Sequence, residues 1–363
     1  MSCTVSRLRT RRYSAPLHQP FVTARRRVEA LEGVLVELEL DDGTVGHGSA
    51  AQTFAVTGES VSSIETALHG PITEALTSDG ERGIRGHAAA IEESCVGNTS
   101  AKAAADVALH DAWARRLGVP LAAALGGDTG RVLHTDMTIS LAEPDVMTRA
   151  ATEAANAGFE TLKVKLGSDW RADLERLRAV RSAVPAARFR LDANQGWDAK
   201  AAVRIIRAIE DADVPLELVE QPVHRDDLDG LARVTAAVDV PIMADESLCS
   251  PRDAFEIART QAADLLNIKL AKCGGVGQAL AIADIAAAAG LRCMVGAMME
   301  PRISITAAAH LATTHPAVTM VDLDSAEWVA ESELSGGYTL HGDAMHLAAE
   351  PGLGFSPEFP EAT

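Results

Sequence analysis

Positive charge is in short supply in this 363-residue chain: 33 Lys and Arg stand against 51 Asp and Glu, a formal net charge of −18. A surface of that sign repels phosphate backbones and anionic lipid, which argues against nucleic acid and membrane surfaces as partners. Paired cysteines are also missing. Cys3, Cys95, Cys249, Cys273 and Cys293 are odd in number and form no C-x-x-C, so no disulfide framework is expected and a reducing cytoplasm is the simplest setting. Cys273 is read as small-residue packing ahead of a reactive thiol. No apolar run is long and charge-free enough to span a bilayer, AIADIAAAAG being short and Ala-rich. Arg11-Arg12 imitates a twin-arginine export signal, but YSAPLHQPF follows where an apolar segment would be needed, so a retained N-terminus is expected. Linkers, charge blocks and tandem repeats are absent as well.

What the chain does contain is 47% apolar residues, ample for a large core, at a length that favours two domains. The first stretch has strand character in VSRLRTRRYSAPL and RVEALEGVLVELEL, joined onward by a DDGTVG hairpin turn. VSSIETALHG, HAAAIEESC and SAKAAADVALHDAWARRLG then carry helical apolar spacing, the last closed by a Gly suited to a C-cap. From about Val132 the pattern becomes apolar runs alternating with amphipathic helices: LHTDMTISL, FETLKVKLG, ARFRLDAN, LELVEQP, VPIMADE, ADLLNIKL, LRCMVGAM and VTMVDLD. Eight such runs predict a parallel (β/α) barrel, with its final helix the weakest element. The expected organisation is an α/β chain: an α+β capping domain over 1–127, a modified (β/α) barrel over 128–325, and a segment over 326–363 that returns to the cap through a Gly-turn hairpin.

Chemistry gathers at the strand ends. Asp192, Glu220 and Asp245 each close a strand run, roughly 25 residues apart, the step of one strand plus one helix. Barrel strands open their C-termini onto one face, so the three carboxylates would converge, and converging anions need a cation. An all-oxygen set suits Mg²⁺ better than zinc. A lone Asp at a strand end is more often a helix cap; three at this period, in RLDANQGW, LVEQP and IMADES, are a site. Lys163 and Lys165 lie two apart in LKVKL and so face the same way. Lys269 ends the sixth strand, across the mouth from the second; Lys272, three residues on, is expected in the following loop. A positioned base supplies about 10²–10⁴ in rate, less than proton removal beside a carboxylate needs, so charge stabilisation by a metal must supply the rest. A lysine on each face of a planar intermediate allows the proton to leave one side and return on the other. Asp322 and Asp324 share a side at the eighth strand end and read as a receptor for a substrate ammonium, each charge-assisted bond being worth about 1.5–3 kcal/mol. Arg25, Arg26 and Arg27 could hold a distal carboxylate, though a solvated basic strand is an equal reading.

These motifs, KVK at Lys163 and Lys165, DAN at Asp192, VEQP at Glu220, ADES at Asp245 and NIKLAKCGG at Lys269, together resemble the muconate-lactonizing branch of the enolase superfamily, which is also known for lysine bases with Mg²⁺. The resemblance covers nearly the whole chain. It implies one Mg²⁺ per subunit on Asp192, Glu220 and Asp245, Lys165 and Lys269 as the acid/base pair, Lys163 in support, and a capping N-terminal domain. The Asp322-Leu-Asp324 pair resembles the dipeptide epimerases, which implies an isomerase acting on a small dipeptide, with L-Ala-D/L-Glu from peptidoglycan turnover the expected substrate and other copies of the chain the expected partners. Thr138, Met298 and Glu300 are implied to line the pocket, and Arg25 to meet a glutamate side chain. Ser49, in GHGSA, departs from relatives that commonly carry Glu there. A cycloisomerase, o-succinylbenzoate synthase or N-acylamino acid racemase is the alternative within the fold, and a non-catalytic metal-binding barrel the alternative outside enzymology.

Overall fold

A computed structural model describes residues 2–23, 27–78, 80–167, 169–212, 214–330, 332–355, 357 and 359. The chain opens with a three-stranded antiparallel sheet, β1 (Val5–Val22), β2 (Arg27–Leu40) and β3 (Val45–Ala51). Its second turn is the predicted one: Gly43 takes φ +80° while Leu40 and Thr44 close the hairpin. The longer helices that follow are α1 (Val61–Ala67), α2 (Ile84–Glu93) and α3 (Thr99–Leu117), with Gly118 capping α3 in the left-handed conformation. The Ala-rich face of α3 lies directly on β3. A Cβ at Gly46 or Gly48 would fall about 2 Å from the α3 carbonyls of Ala108 and Ala104, so only glycine permits this approach.

Eight parallel strands come next: β4 (Met137–Ile139), β5 (Thr161–Lys165), β6 (Arg188–Asp192), β7 (Leu216–Glu220), β8 (Ile242–Ala244), β9 (Leu265–Lys269), β10 (Arg292–Gly296) and β11 (Val318–Asp322). They pair in sequence order, and a parallel bridge from Thr135 to Val321 joins the last to the first. Helices α4 (Pro144–Asn156), α5 (Trp170–Ala183), α6 (Ala199–Glu210), α7 (Leu228–Thr235), α8 (Pro251–Thr260), α9 (Val276–Ala288) and α10 (Arg302–Ala312) fill the seven crossovers. After β11 only a short 3₁₀ turn, Ser325–Trp328, appears where an eighth helix would stand. The predicted first strand is divided: Leu133–His134 pairs with the C-terminal hairpin, and only Met137–Ile139 joins the barrel. The intervening Asp136 points to Arg190 inside the barrel, 2.8 Å away, and that pairing turns the chain.

Outward residues such as Leu162, Val164, Phe189, Leu191, Leu266 and Ile268 join the main core against the helices. Inward, Leu218, Met243, Leu265 and Met294 form a separate buried cluster that plugs the barrel interior; each is worth roughly 1.5–3 kcal/mol of burial. A final hairpin, β12 (Tyr338–His341) and β13 (Ala344–Leu347), leads the chain back to the first domain. There Leu353 N donates to buried Asp111 at 2.7 Å, and Gly352 pairs with Val119 and Leu121 across the Pro120 bridge. Ser49 is part of the same junction, its hydroxyl 2.6 Å from that of Ser304 on α10. No described helix is long and apolar enough to cross a membrane.

Candidate active site

Inward positions recur every second residue along a strand. Lys163 and Lys165 of β5, Asp192 ending β6, Glu220 ending β7, Asn267 and Lys269 of β9 and Asp322 ending β11 are therefore carried to one mouth, and all are buried. Neighbouring strand ends are in register, Lys165 opposite Asp192 and Asp192 opposite Glu220. A cavity at this mouth is walled by Thr138, Lys163, Lys165, Asp245, Lys269, Met298, Asp322 and Asp324, with Phe21, Thr23, Ala55 and Val56 of the first domain closing it from above. β5 and β9 stand four positions apart in an eight-stranded barrel, so Lys165 and Lys269 face each other across it.

The charges interlock. Lys165 Nζ lies 2.5 Å from Asp192 Oδ2 and 5.7 Å from the Phe21 ring centre. Lys163 Nζ lies 2.7 Å from both Glu220 Oε2 and Asp322 Oδ2, and 3.4 Å from Asp192. Lys269 Nζ lies 2.8 Å from Asp245 Oδ2 and 3.7 Å from Glu220 Oε1. Burial pushes Glu220 up to about 7, with Asp192 and Asp245 adding to the rise against Lys163. For Asp245 burial acts upward too, but Lys269 and Lys272 outweigh it and hold the group well below the usual carboxylate range. Asp192 is likewise held down, against burial, by Lys165 and Lys163. Burial would lower Lys163 and Lys269; their carboxylate neighbours reverse the sign and keep both ammoniums charged.

Whether these residues suit a divalent ion can be judged from the donor set. Three buried carboxylates on adjacent strands make an all-oxygen donor set, Asp245 opposing the ionisation of Asp192 and both opposing that of Glu220. Glu220 Oε2 makes no directed hydrogen bond although Lys163 is at 2.7 Å, so its lone pairs are not aligned on the ammonium. Among the described residues no three acidic, His or Cys side chains are grouped closely enough to ligate one ion as they stand. Lys165 and Lys269 each hold one of these carboxylates, Asp192 and Asp245. The donor chemistry fits a hard dication, and the ammoniums supply the positive charge it would bring.

Asp322 binds Lys163, while Asp324 Oδ2 accepts from Thr138 N at 2.7 Å and Trp328 Nε1 at 3.1 Å. Glu300 does not wall the cavity: its carboxylate turns back to accept Met298 N at 2.9 Å, fixing the β10–α10 loop that carries Met298. Lys272 is not a loop residue but is buried in a helical turn, Leu270–Cys273. Cys273 packs internally, its thiol pushed up to about 12 by burial. Arg25 and Arg26 lie outside the described residues. Several residues the sequence reading missed complete the mouth. Asn267 Nδ2 donates to Glu220 Oε1 at 3.0 Å. Gln221 Oε1 accepts Asp245 N at 2.8 Å and Ser247 N at 3.1 Å. Asn194, Gln195 and Gln221 hold positive φ of 43°, 64° and 36° in the turns after Asp192 and Glu220, the kind of strain, about 1–3 kcal/mol each, that collects at functional sites. Asn267 was within reach, since it lies two residues before Lys269 on an inward register.

A barrel whose strand ends set three consecutive acids between two lysines, beneath an α+β lid, defines an enolase-type capped barrel. The chain belongs to the mandelate racemase / muconate lactonizing enzyme family: residues 6–126 match the model of that family's N-terminal domain, and residues 146–362 match the enolase C-terminal domain-like model. It is 45% identical over 354 residues to L-Ala-D/L-Glu epimerase of Bacillus subtilis, covering 96% of both chains. It superposes on the substrate-liganded complex of the L-Ala-D/L-Glu epimerase from Bacillus subtilis with TM-score 0.95 at 44% identity, over 98% of this chain and 99% of that one. A dipeptide epimerase from Enterococcus faecalis, complexed with Mg and L-Leu-L-Tyr, superposes with TM-score 0.91 at 36% identity over 97% and 99%.

Proposed function

We propose that this chain is a Mg²⁺-dependent dipeptide epimerase that inverts the α-carbon of the C-terminal residue, acting on L-Ala-D/L-Glu. The observation that carries it is the placement of Lys165 and Lys269 on opposite strands of one barrel, both walling the same buried cavity. In this reading Asp192, Glu220 and Asp245 hold one Mg²⁺, which supplies Lewis-acid polarisation of the substrate carboxylate. Lys165 or Lys269, depending on the stereoisomer bound, takes the Cα proton from its own side, and the opposite lysine returns one to the enolate from the other. The acceptor must be a neutral amine, so the charged lysine has to release its carboxylate partner and a proton as substrate enters. Lys163, fixed among Glu220, Asp322 and Asp192, supports that arrangement by balancing their charge. Asp322 and Asp324 receive the substrate's α-ammonium, next to Thr138 and Met298. Arg25 is the candidate partner for the glutamate carboxylate.

The same reading assigns catalysis to residues 128–325 and the lid to 1–127 with 326–363. Its substrate is a product of cell-wall peptide breakdown, handled in the cytoplasm. The specificity rests on the likeness to L-Ala-D/L-Glu epimerases at 45% and 42% identity, ahead of 38% for a hydrophobic dipeptide epimerase. A second reading, an N-acylamino acid racemase, draws on the 30% identical N-succinyl Arg/Lys racemase from Bacillus cereus, with TM-score 0.92. Incubation with L-Ala-L-Glu and Mg²⁺ in D₂O separates them. Deuterium at the glutamate Cα supports the epimerase; exchange confined to N-succinyl amino acids supports the racemase and overturns it.

A further inference from the structure

Lys269 and Lys272 both contact Asp245, but they divide its carboxylate between them. Lys269 approaches Oδ2 at 2.8 Å from the cavity. Lys272 lies behind the cavity wall, 2% exposed, with Nζ 2.5 Å from Oδ1, on the main-chain carbonyl of Asp245 itself, and 3.1 Å from the carbonyl of Asn267. An ammonium has three N–H donors, and these three acceptors use all of them. Lys272 therefore has no proton to offer a substrate. Its contacts fix the side-chain torsion of Asp245 and tie the end of β8 to the inward register of β9. The turn that carries it is itself anchored: Gly274 and Gly275 leave it at φ +91° and +123°, and Asp106 of α3 accepts Val276 N at 2.6 Å.

We propose that Lys272 is a positioning residue that commits Asp245 Oδ1 away from the cavity and so presents Oδ2 alone to the metal. The inference rests on the reading of Asp245 as a metal-holding carboxylate. It predicts a sign that charge alone does not: removing a cation beside an anionic site should tighten Mg²⁺ binding by Coulomb attraction, whereas freeing a ligand's orientation should weaken it by about 10–100-fold.

Mg²⁺ titrated calorimetrically into wild-type, K272M and K269M protein tests this. Affinity should fall about 10–100-fold in K272M and stay level or rise in K269M, and K272M turnover should recover when Mg²⁺ is raised to saturation. Wild-type affinity or tighter in K272M overturns the proposal, as does an equal loss in K269M, or a K272M turnover that added Mg²⁺ does not restore. If K272M does not fold by circular dichroism, K272Q, neutral with a shorter reach, is judged by the same affinities. Wild-type protein that binds no Mg²⁺ removes the underlying reading of the three carboxylates, a result distinct from a K272M protein that binds as wild type does.

Discussion

The two ends of the barrel's interior are built from the same strands and obey different rules. Toward the mouth, inward positions hold Lys163, Lys165, Asp192, Glu220, Lys269 and Asp322, charged groups removed from water. Further down, on β7 to β10, Leu218, Met243, Leu265 and Met294 make an apolar plug. One end carries desolvated charge, tolerable because Asp192, Glu220 and Asp322 each meet a lysine. The other supplies burial energy, with the Asp136–Arg190 pair as the charged contact beside it. Along β7, β8 and β9 chemistry and stability are thus separated by a few residues, which is why this architecture can change one while leaving the other alone.

That separation can be broken most decisively at the mouth. Lys165→Ala and Lys269→Ala should each lower epimerisation by at least about 10²–10⁴-fold, measured by Cα deuterium exchange from each stereoisomer; one variant can retain exchange from a single isomer. Full activity in either would remove that lysine from the mechanism. At the plug, Leu265→Ala should cost about 2–5 kcal/mol of stability by urea denaturation, with kcat/KM of the folded protein within a few-fold of wild type. A large kinetic loss there would show the two ends to be coupled.

A third test touches neither end. His310 of α10 is buried, its Nδ1 accepting Ala122 N at 3.1 Å, and burial lowers its pKa to about 4 from an ordinary 6.5. The unfolded chain therefore binds the extra proton first. Stability should be fully present above about pH 6.5 and decline as pH falls toward 4, by about 3 kcal/mol in all, and His310→Gln should flatten that portion of the pH–stability curve. An unchanged slope in the variant would assign the acid sensitivity to other groups. The smallest expected effect is at Asp322. Asp322→Asn should reduce dipeptide kcat/KM by about 10–150-fold, the worth of one charge-assisted hydrogen bond of about 1.5–3 kcal/mol, with a smaller effect on N-acylated substrates. Unchanged dipeptide turnover would detach the pair from ammonium recognition.

The strand alternation, the hairpin at Asp41–Thr44 and the inward face of Lys163 and Lys165 were legible because each rests on local periodicity or turn chemistry. So were the acid-bearing strand ends, since the barrel step fixes their spacing. What the sequence hid depends on long-range pairing. Asp136 reads as part of an apolar strand until Arg190, 54 residues on, is seen beside it. Lys272 reads as a loop residue until the fold buries it in a helical turn against Asp245, and Glu300 reads as cavity-lining until its carboxylate is found turned onto its own loop. Ser49 finds its partner, Ser304, 255 residues away.

The tail's return to the lid has an engineering consequence. Asp111 spends its carboxylate on Leu353 N and Arg115, and Arg115 in turn donates to the carbonyl of Phe355. A chimera that grafts a relative's head onto this body must therefore carry the matching last thirty or so residues along with it. Exchanging the head by itself would leave the Leu353 N–H and the Phe355 carbonyl without Asp111 and Arg115 and open the seam between the two parts.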